Sequence, residues 1–128
     1  MKTFQLAKKD SPARNIHIKY CDTFWSKLRG LMFVKELGQD EGILLAETAE
    51  TKMNTSIHMF FMNFDIAVLW LDKNYSVVDK TLARKWRPYY APKSPAQYVV
   101  EMHSSRLADF SIGDGLVLSP DAEDDNAG

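Results

Sequence analysis

The stretch Thr55-Ser-Ile-His-Met-Phe-Phe-Met-Asn-Phe-Asp-Ile-Ala-Val-Leu-Trp-Leu-Asp72 decides the fold of this chain. It is the most apolar run of the sequence, and over residues 66–71 both alternating faces are apolar. A strand that is apolar on both faces is normally covered on both sides. We therefore place strands over 57–62 and 66–71 in the middle of the fold, and the turn signal at 72–74 predicts a hairpin with a return strand over 75–82. A single helix across 57–71 is the alternative interpretation.

Shorter elements flank this centre, with turn signals between them. Alternation and apolar content predict strands over residues 3–7, 15–21, 43–45, 97–102 and 116–118, whereas residues 47–54 are predicted to be irregular. Thr23 can cap a short amphipathic helix that ends at Gly30, and Ser104 or Ser105 can cap a second one through Phe110. The expected class is mainly β (α+β): an antiparallel, jelly-roll-like β-sandwich or barrel with two short helices.

Length, charge and cysteine content limit the functions to consider. A chain of 128 residues is sufficient for one compact domain, which we assign to residues 1–118, and the acidic residues 119–128 are predicted to be a disordered tail. The formal net charge of −1 implies no general attraction to nucleic acid or to an anionic membrane. One cysteine, no apolar signal-peptide core near the N-terminus and no run of ~18 apolar residues together predict a cytoplasmic protein without membrane contact.

Several separated segments resemble one family, the bacterial and archaeal "domain of unknown function 192" proteins. In chain order these segments are Arg29-Gly30-Leu31-Met32, Gly42-Ile43-Leu44-Leu45, Ser56–Met62 leading into Val68–Asp72, Trp86-Arg87-Pro88, Ala96–Met102 and Ile112-Gly113-Asp114. They cover roughly residues 14–118. The resemblance implies a compact, mostly β fold of the sandwich or jelly-roll kind, and it implies no substrate, cofactor or catalytic residue.

The chain departs from the family pattern at two places. Pro-x-Asp often precedes the hydrophobic strand in the family, where this chain has Asp65-Ile66-Ala67, and Gly often follows the Glu-Leu pair, where this chain has Ser105. Ala67 cannot perform any role of the family aspartate.

The segment 84–93 is the strongest candidate for a binding surface. It carries four cations, Arg84, Lys85, Arg87 and Lys93, interleaved with Trp86, Tyr89 and Tyr90, and no acidic residue occurs between positions 84 and 100. Its prolines predict an exposed, pre-ordered loop. Cations beside stacking rings suit single-stranded nucleic acid or an anionic small molecule. Alternatively, the rings fold back as a lid over one end of the sheet, or the acidic tail masks the loop.

His58 is the other candidate, because a histidine in an apolar setting can act as an acid, a base or a ligand, although a structural hydrogen bond is the simpler role. We predict a ligand-binding site from His58, Arg84, Trp86, Arg87, Tyr89 and Glu101, with no identifiable catalytic residue. The histidines and Cys21 lack the short spacing of structural zinc sites, so we expect no metal, and no cofactor motif is present.

Three functional hypotheses follow from these observations. The first is a binding or interaction module that uses loop 84–93 for an anionic ligand or partner. The second is a small enzyme of unknown reaction, with a pocket bounded by His58 and the basic loop. The third is a structural or accessory protein without a specialised site.

Overall fold

The structure, a computed structural model that describes residues 2–10 and 15–121, contains one mixed sheet of seven strands. The strands lie in the order β5-β4-β6-β3-β2-β1-β7, and every neighbouring pair is antiparallel except β2 with β3. Their bounds are β1 Thr3–Lys8, β2 Ile16–Cys21, β3 Glu41–Thr51, β4 Ile66–Leu71, β5 Val77–Ala83, β6 Ala96–His103 and β7 Leu116–Pro120. The helix α1 spans Phe24–Arg29 and a 3₁₀ helix spans Ser104–Asp109. The predicted mainly β class with two short helices is confirmed.

The sheet curls until its two edge strands meet at one end. The amide of Val77 donates to the carbonyl of Asp114 at 2.9 Å, and the amide of Leu116 donates to the carbonyl of Tyr75 at 3.0 Å. An isolated bridge joins Ser76 to Gly115. Since these contacts involve only the starts of β5 and β7, the sheet approaches a barrel without closing into one.

Two apolar cores lie on the two faces of the sheet. All seven strands contribute to the first core, which Phe110 completes beside the 3₁₀ helix; its largest buried members are Leu6, Ile16, Ile18, Leu44, Leu69, Leu71, Met102 and Leu116. The second core lies under the segments 31–37 and 57–64 and includes Leu31, Ile43, Ile57, Met59, Met62, Val68, Trp70 and Val99. All six residues of β4 are buried, and its two faces belong to the two cores. The prediction that residues 66–71 are covered on both sides is confirmed.

The helix α1 begins and ends where the sequence predicts. Thr23 caps it, because the Thr23 hydroxyl accepts a hydrogen bond from the amide of Ser26. Gly30 ends it with a positive φ of 47°, a conformation that glycine adopts without steric cost. The apolar face of this helix is less buried than predicted: Trp25 is 74% exposed and Leu28 is 46% exposed.

Three predicted boundaries differ from the structure. Residues 57–62 form neither a strand nor a helix, but a bridge at Ile57 followed by turns over the second core. Strand β3 continues to Thr51, through residues predicted to be irregular, because it pairs along β6 as far as Ala96. Strand β7 runs to Pro120, two residues beyond its predicted end, and so includes the first two residues of the predicted tail. Residues 122–128 of that tail lie outside the described residues.

Candidate functional site

A cavity of about 430 Å³ lies between α1, the segment 54–62 and strands β3 and β6. Its walls are largely apolar, and a few polar side chains enter it. The lining comprises Lys27, Leu28, Arg29, Gly30, Leu31, Met32, Leu45, Glu47, Asn54, Ser56, Ile57, His58, Met62, Val99 and Glu101. Two residues of the predicted ligand site, His58 and Glu101, therefore share one cavity.

Glu101 is a carboxylate on an apolar face of the sheet. Strand β6 places it between Ile43 of β3 and Val68 of β4, and its side chain is only 6% exposed. Burial raises the pKa of Glu101 from an ordinary value of 4.5 to about 7, because desolvation disfavours the charged form. No described residue hydrogen-bonds or ion-pairs with this carboxylate, and no fully enclosed polar side-chain atom of the described residues lacks a partner. The Glu101 oxygens therefore keep their remaining exposure in the cavity.

The end of α1 forms the wall beside this carboxylate. A Cβ atom added to Gly30 would lie 3.6 Å from Oε1 of Glu101, so the glycine brings bare backbone close to the acid. The thiol of Cys21 is also near: burial, and secondly the charge of Glu101, raise its pKa. A thiol with a raised pKa is a poor nucleophile at neutral pH.

His58 is held by its own backbone segment. The amide of Phe60 donates to Nδ1 of His58 at 3.2 Å, and the two rings are 5.4 Å apart. Because Nδ1 accepts a hydrogen bond, the proton of the neutral ring resides on Nε2. Nε2 has no partner among the described residues and is therefore a donor still available for a ligand.

The charged residues at the rim differ in whether they are paired. Lys27 donates to Glu47 Oε1 at 3.0 Å across the mouth of the cavity. Arg29 lies on the same rim and makes no ion pair with a described residue. Neither cation contributes to the pKa of Glu101, which burial alone determines.

The predicted basic loop lies next to this region, but none of its residues lines the cavity. Residues 84–95 connect β5 to β6, and their backbone pairs with the segment that carries His58. The amide of Trp86 donates to the carbonyl of Met59 at 2.8 Å, and the amide of Met59 donates to the carbonyl of Arg87 at 3.0 Å. The expectation of one pocket bounded by both His58 and the basic loop is therefore wrong for this cavity.

The rings of the loop take two different positions. Tyr90 packs against the second core and its hydroxyl accepts a hydrogen bond from the amide of Arg84 at 2.8 Å. Trp86 is 53% exposed and Tyr89 is 63% exposed. The alternative in which all three rings fold back as a lid is correct for Tyr90 only.

Trp86 belongs to a cluster of exposed rings that sequence analysis missed. Phe61 lies edge-on to Trp86 at 5.2 Å and stacks on Phe33 at 5.1 Å. All three residues have positive φ, namely 66° at Phe33, 61° at Phe61 and 67° at Trp86. A bulky residue in this region costs of order 1–3 kcal/mol, and such strain tends to mark functional surfaces. We call Phe33, Phe61 and Trp86 the aromatic cluster.

Cations precede and follow Trp86 in the chain, at Arg84, Lys85 and Arg87. Arg84 lies 3.6 Å from Asp65, and the amide of Lys85 donates to the same carboxylate at 2.8 Å, which gives Asp65 a role in holding the loop. The side chains of Lys85 and Arg87 make no ion pair with a described residue. Lys85 also lines a groove of about 560 Å³ with Lys35. The acidic tail that could mask this loop comprises Asp121, Glu123, Asp124 and Asp125. Asp121 contacts His17 at 3.4 Å, and residues 123–125 lie outside the described residues.

Within residues 2–10 and 15–121, no three histidine, cysteine, aspartate or glutamate side chains gather as they would around a metal ion. In the same part of the chain, no helix has the length and apolar character needed to cross a membrane.

The fold and the two sites describe a small, mostly β domain with a ligand-sized cavity and a separate surface of rings and cations. Residues 5–119 match the DUF192 family, described as "Uncharacterized ACR", and the chain belongs to that family. The resemblance found in the sequence is thereby confirmed.

Its relatives include uncharacterised UPF0127 proteins of archaea. The chain is 42% identical over 102 residues to TK1120 of Thermococcus kodakarensis, a match that covers 80% of this chain and 63% of the relative. It is 39% identical over 105 residues to a protein of Thermococcus gammatolerans, covering 82% and 67%. The chain thus spans about two thirds of the length of these relatives.

Two solved structures share the fold. A proposed transcription regulator from Sinorhizobium meliloti has a TM-score of 0.80 at 15% identity, with 91% of this chain and 92% of that chain covered. A protein of unknown function from Novosphingobium aromaticivorans has a TM-score of 0.74 at 16% identity, with 90% and 83% covered. At these identities the likeness shows the fold alone.

Proposed function

We propose that this protein is a binding module whose aromatic cluster and flanking cations contact single-stranded nucleic acid. The observation that carries the proposal is that three exposed rings touch one another while each stands on left-handed backbone. Strain of this kind persists where the surrounding structure enforces it. Exposed rings held in this way are preformed platforms for stacking a base.

The charges beside the rings support the same partner. Lys85 and Arg87 flank Trp86 in the chain and make no ion pair with a described residue. Lys35 lines the groove beside Lys85, together with the carboxylates of Glu36 and Asp65. A strand of phosphates along these cations would place its bases within reach of the rings, which is how sequence-tolerant proteins bind single strands.

The backbone around the loop supports a preformed surface. Pairing of 86–90 with 57–59 and the hydrogen bond from Lys85 to Asp65 fix the loop at several points. Binding to a fixed loop loses less conformational entropy than binding to a loop that must become ordered. The name of the Sinorhizobium meliloti structure, a proposed regulator of transcription, adds a reason to test nucleic acid first.

The test measures binding of fluorescein-labelled dT12 and U12 by anisotropy at 50 mM and 200 mM salt. We expect Trp86→Ala to weaken binding about tenfold, since stacking contributes ~1–3 kcal/mol per base. We expect Arg87→Ala to weaken binding and to reduce the steepness of the salt dependence by about 0.7.

Matched controls separate these effects from general loss of rings or charge. Trp25→Ala removes a still more exposed tryptophan from α1, and Lys73→Ala removes an exposed cation from the turn between β4 and β5. Both controls should bind like the unchanged protein. Equal affinity of Trp86→Ala, Arg87→Ala and the unchanged protein, or no binding at 50 mM salt, would refute the proposal.

A further inference from the structure

Glu101 stands apart from the other buried charged residues of the described chain. Asp79 accepts hydrogen bonds from the amides of Lys80 and Lys93 at 2.8 Å each. Arg106 contacts Asp109 at 2.6 Å and has further partners, and Asp121 contacts His17 at 3.4 Å. Only the Glu101 carboxylate has no protein partner among the described residues. A buried carboxylate is stable when it is paired or hydrogen-bonded, so the missing partner calls for an explanation.

The space beside Glu101 is suitable for a small organic molecule. At about 430 Å³ the cavity falls within the usual range of ligand pockets, about 300–1,000 Å³. Leucine, isoleucine, methionine and valine side chains supply most of its walls, and hydroxyl, amide and imidazole groups enter at a few points. Such a lining favours an apolar ligand body with one or two polar groups.

The charge that would complement Glu101 is missing from the protein side. Lys27, the cation that could have paired with it, is already bonded to Glu47 at 3.0 Å. Arg29 lies on the exposed rim and makes no ion pair with a described residue. A ligand cation would therefore find an unpaired carboxylate in an environment where the charge interaction is weakly screened.

We propose that this cavity binds a small organic ammonium ion, with its apolar body against the walls and its charged nitrogen on the Glu101 carboxylate. The Nε2–H of His58 is available for an oxygen acceptor on the same ligand. This site is separate from the aromatic cluster and shares no residue with it. A failure of either proposal thus leaves the other standing.

The test uses three probes of similar size and different charge: benzylammonium, benzyl alcohol and benzoate. Calorimetric titration at pH 8 should show benzylammonium binding at least tenfold more tightly than the other two. Glu101→Gln keeps the size of the side chain and removes its charge, so it should weaken benzylammonium at least tenfold and leave benzyl alcohol within twofold. Glu36→Gln removes an exposed carboxylate that does not line the cavity, and should leave benzylammonium within twofold.

The pH dependence gives a second measurement. An ammonium ligand binds the ionised acid, whose pKa is about 7 in the free protein, so affinity should be about tenfold lower at pH 6 than at pH 8. Titrations in two buffers should show proton release on binding at pH 6.5, and none with Glu101→Gln. Equal binding of benzyl alcohol, stronger binding of benzoate, unchanged affinity in Glu101→Gln, or no benzylammonium binding at 10 mM would each overturn the proposal.

Discussion

Replacing Glu101 by glutamine should make the protein more stable at alkaline pH and should leave its stability at acidic pH nearly unchanged. The carboxyl group has no protein partner and is 6% exposed, so its ionised form is disfavoured in the folded state. Folding raises its pKa from 4.5 to about 7. The folded protein therefore binds this proton more tightly than the unfolded chain does, and stability falls as the pH rises from 4.5 to 7.

The size of the effect follows from the shift of about 2.5 pH units. At 1.36 kcal/mol per unit, ionising Glu101 removes about 3 kcal/mol of unfolding free energy by pH 8. Glutamine cannot ionise, so Glu101→Gln should gain up to about 3 kcal/mol over the unchanged protein at pH 8 and about zero at pH 4. Urea unfolding followed by tryptophan fluorescence, at several pH values between 4 and 8, measures this difference.

The control is Glu36→Gln, since Glu36 is an exposed carboxylate that does not line the cavity. Its difference from the unchanged protein should show no such rise towards alkaline pH. A stability gain of Glu101→Gln that is the same at every pH would refute the reasoning, because packing would then explain it. A loss of stability at pH 8 would show that the carboxylate makes a favourable contact in the folded protein.

Other predictions test the packing, the strain and the helix cap. Gly42→Ala should destabilise the fold by about 2 kcal/mol or more, because the new Cβ would lie 2.6 Å from the carbonyl oxygen of Glu101. The control is Gly115→Ala, whose Cβ would meet only the flexible Lys9 side chain. Equal losses of stability in the two variants would contradict the argument. Phe33→Gly should be about 1 kcal/mol more stable than Phe33→Ala in thermal unfolding, since φ at this exposed position is 66°; the reverse order would rule out left-handed strain. Thr23→Ala should cost about 1 kcal/mol in urea unfolding, through loss of the cap on α1, and an unchanged midpoint would disprove the role of the cap.

The parts of the fold that sequence analysis predicted are those set by local rules. Strand β4 was predictable because six apolar residues in a row need cover on both faces, and the structure provides it. The helix α1 was predictable from Thr23 and Gly30, whose side-chain and backbone preferences act within a few residues. The family resemblance, which uses the same segments, agrees with both.

The prediction of a strand over residues 57–62 was wrong because their burial does not result from pairing with a neighbouring strand. Ile57, Met59 and Met62 are buried, while Phe60 and Phe61 are exposed. The first two buried positions are two residues apart, which imitates a strand. These residues are buried by packing in the second core and held by backbone hydrogen bonds to residues 86–90. Neither kind of contact leaves a pattern in the local sequence.

The candidate sites were only partly predictable, because they also depend on contacts between residues far apart in the sequence. His58 was noticeable as a polar residue in an apolar run, and Trp86 and Arg87 as members of a basic loop. The strained partners of Trp86, Phe33 and Phe61, gave no signal, because the sequence does not report φ and glycine is the residue expected there.

Glu101 illustrates how burial of a charge depends on strand order. In the sequence it lies in an otherwise apolar strand, where the outward face could equally have been open to water. Its burial requires that β6 lie between β3 and β4, so that Ile43 and Val68 flank it, and that α1 end at Gly30 directly above it. Each of these contacts is long-range. A carboxylate that such an arrangement desolvates without supplying a partner is best explained by a ligand that supplies the missing positive charge.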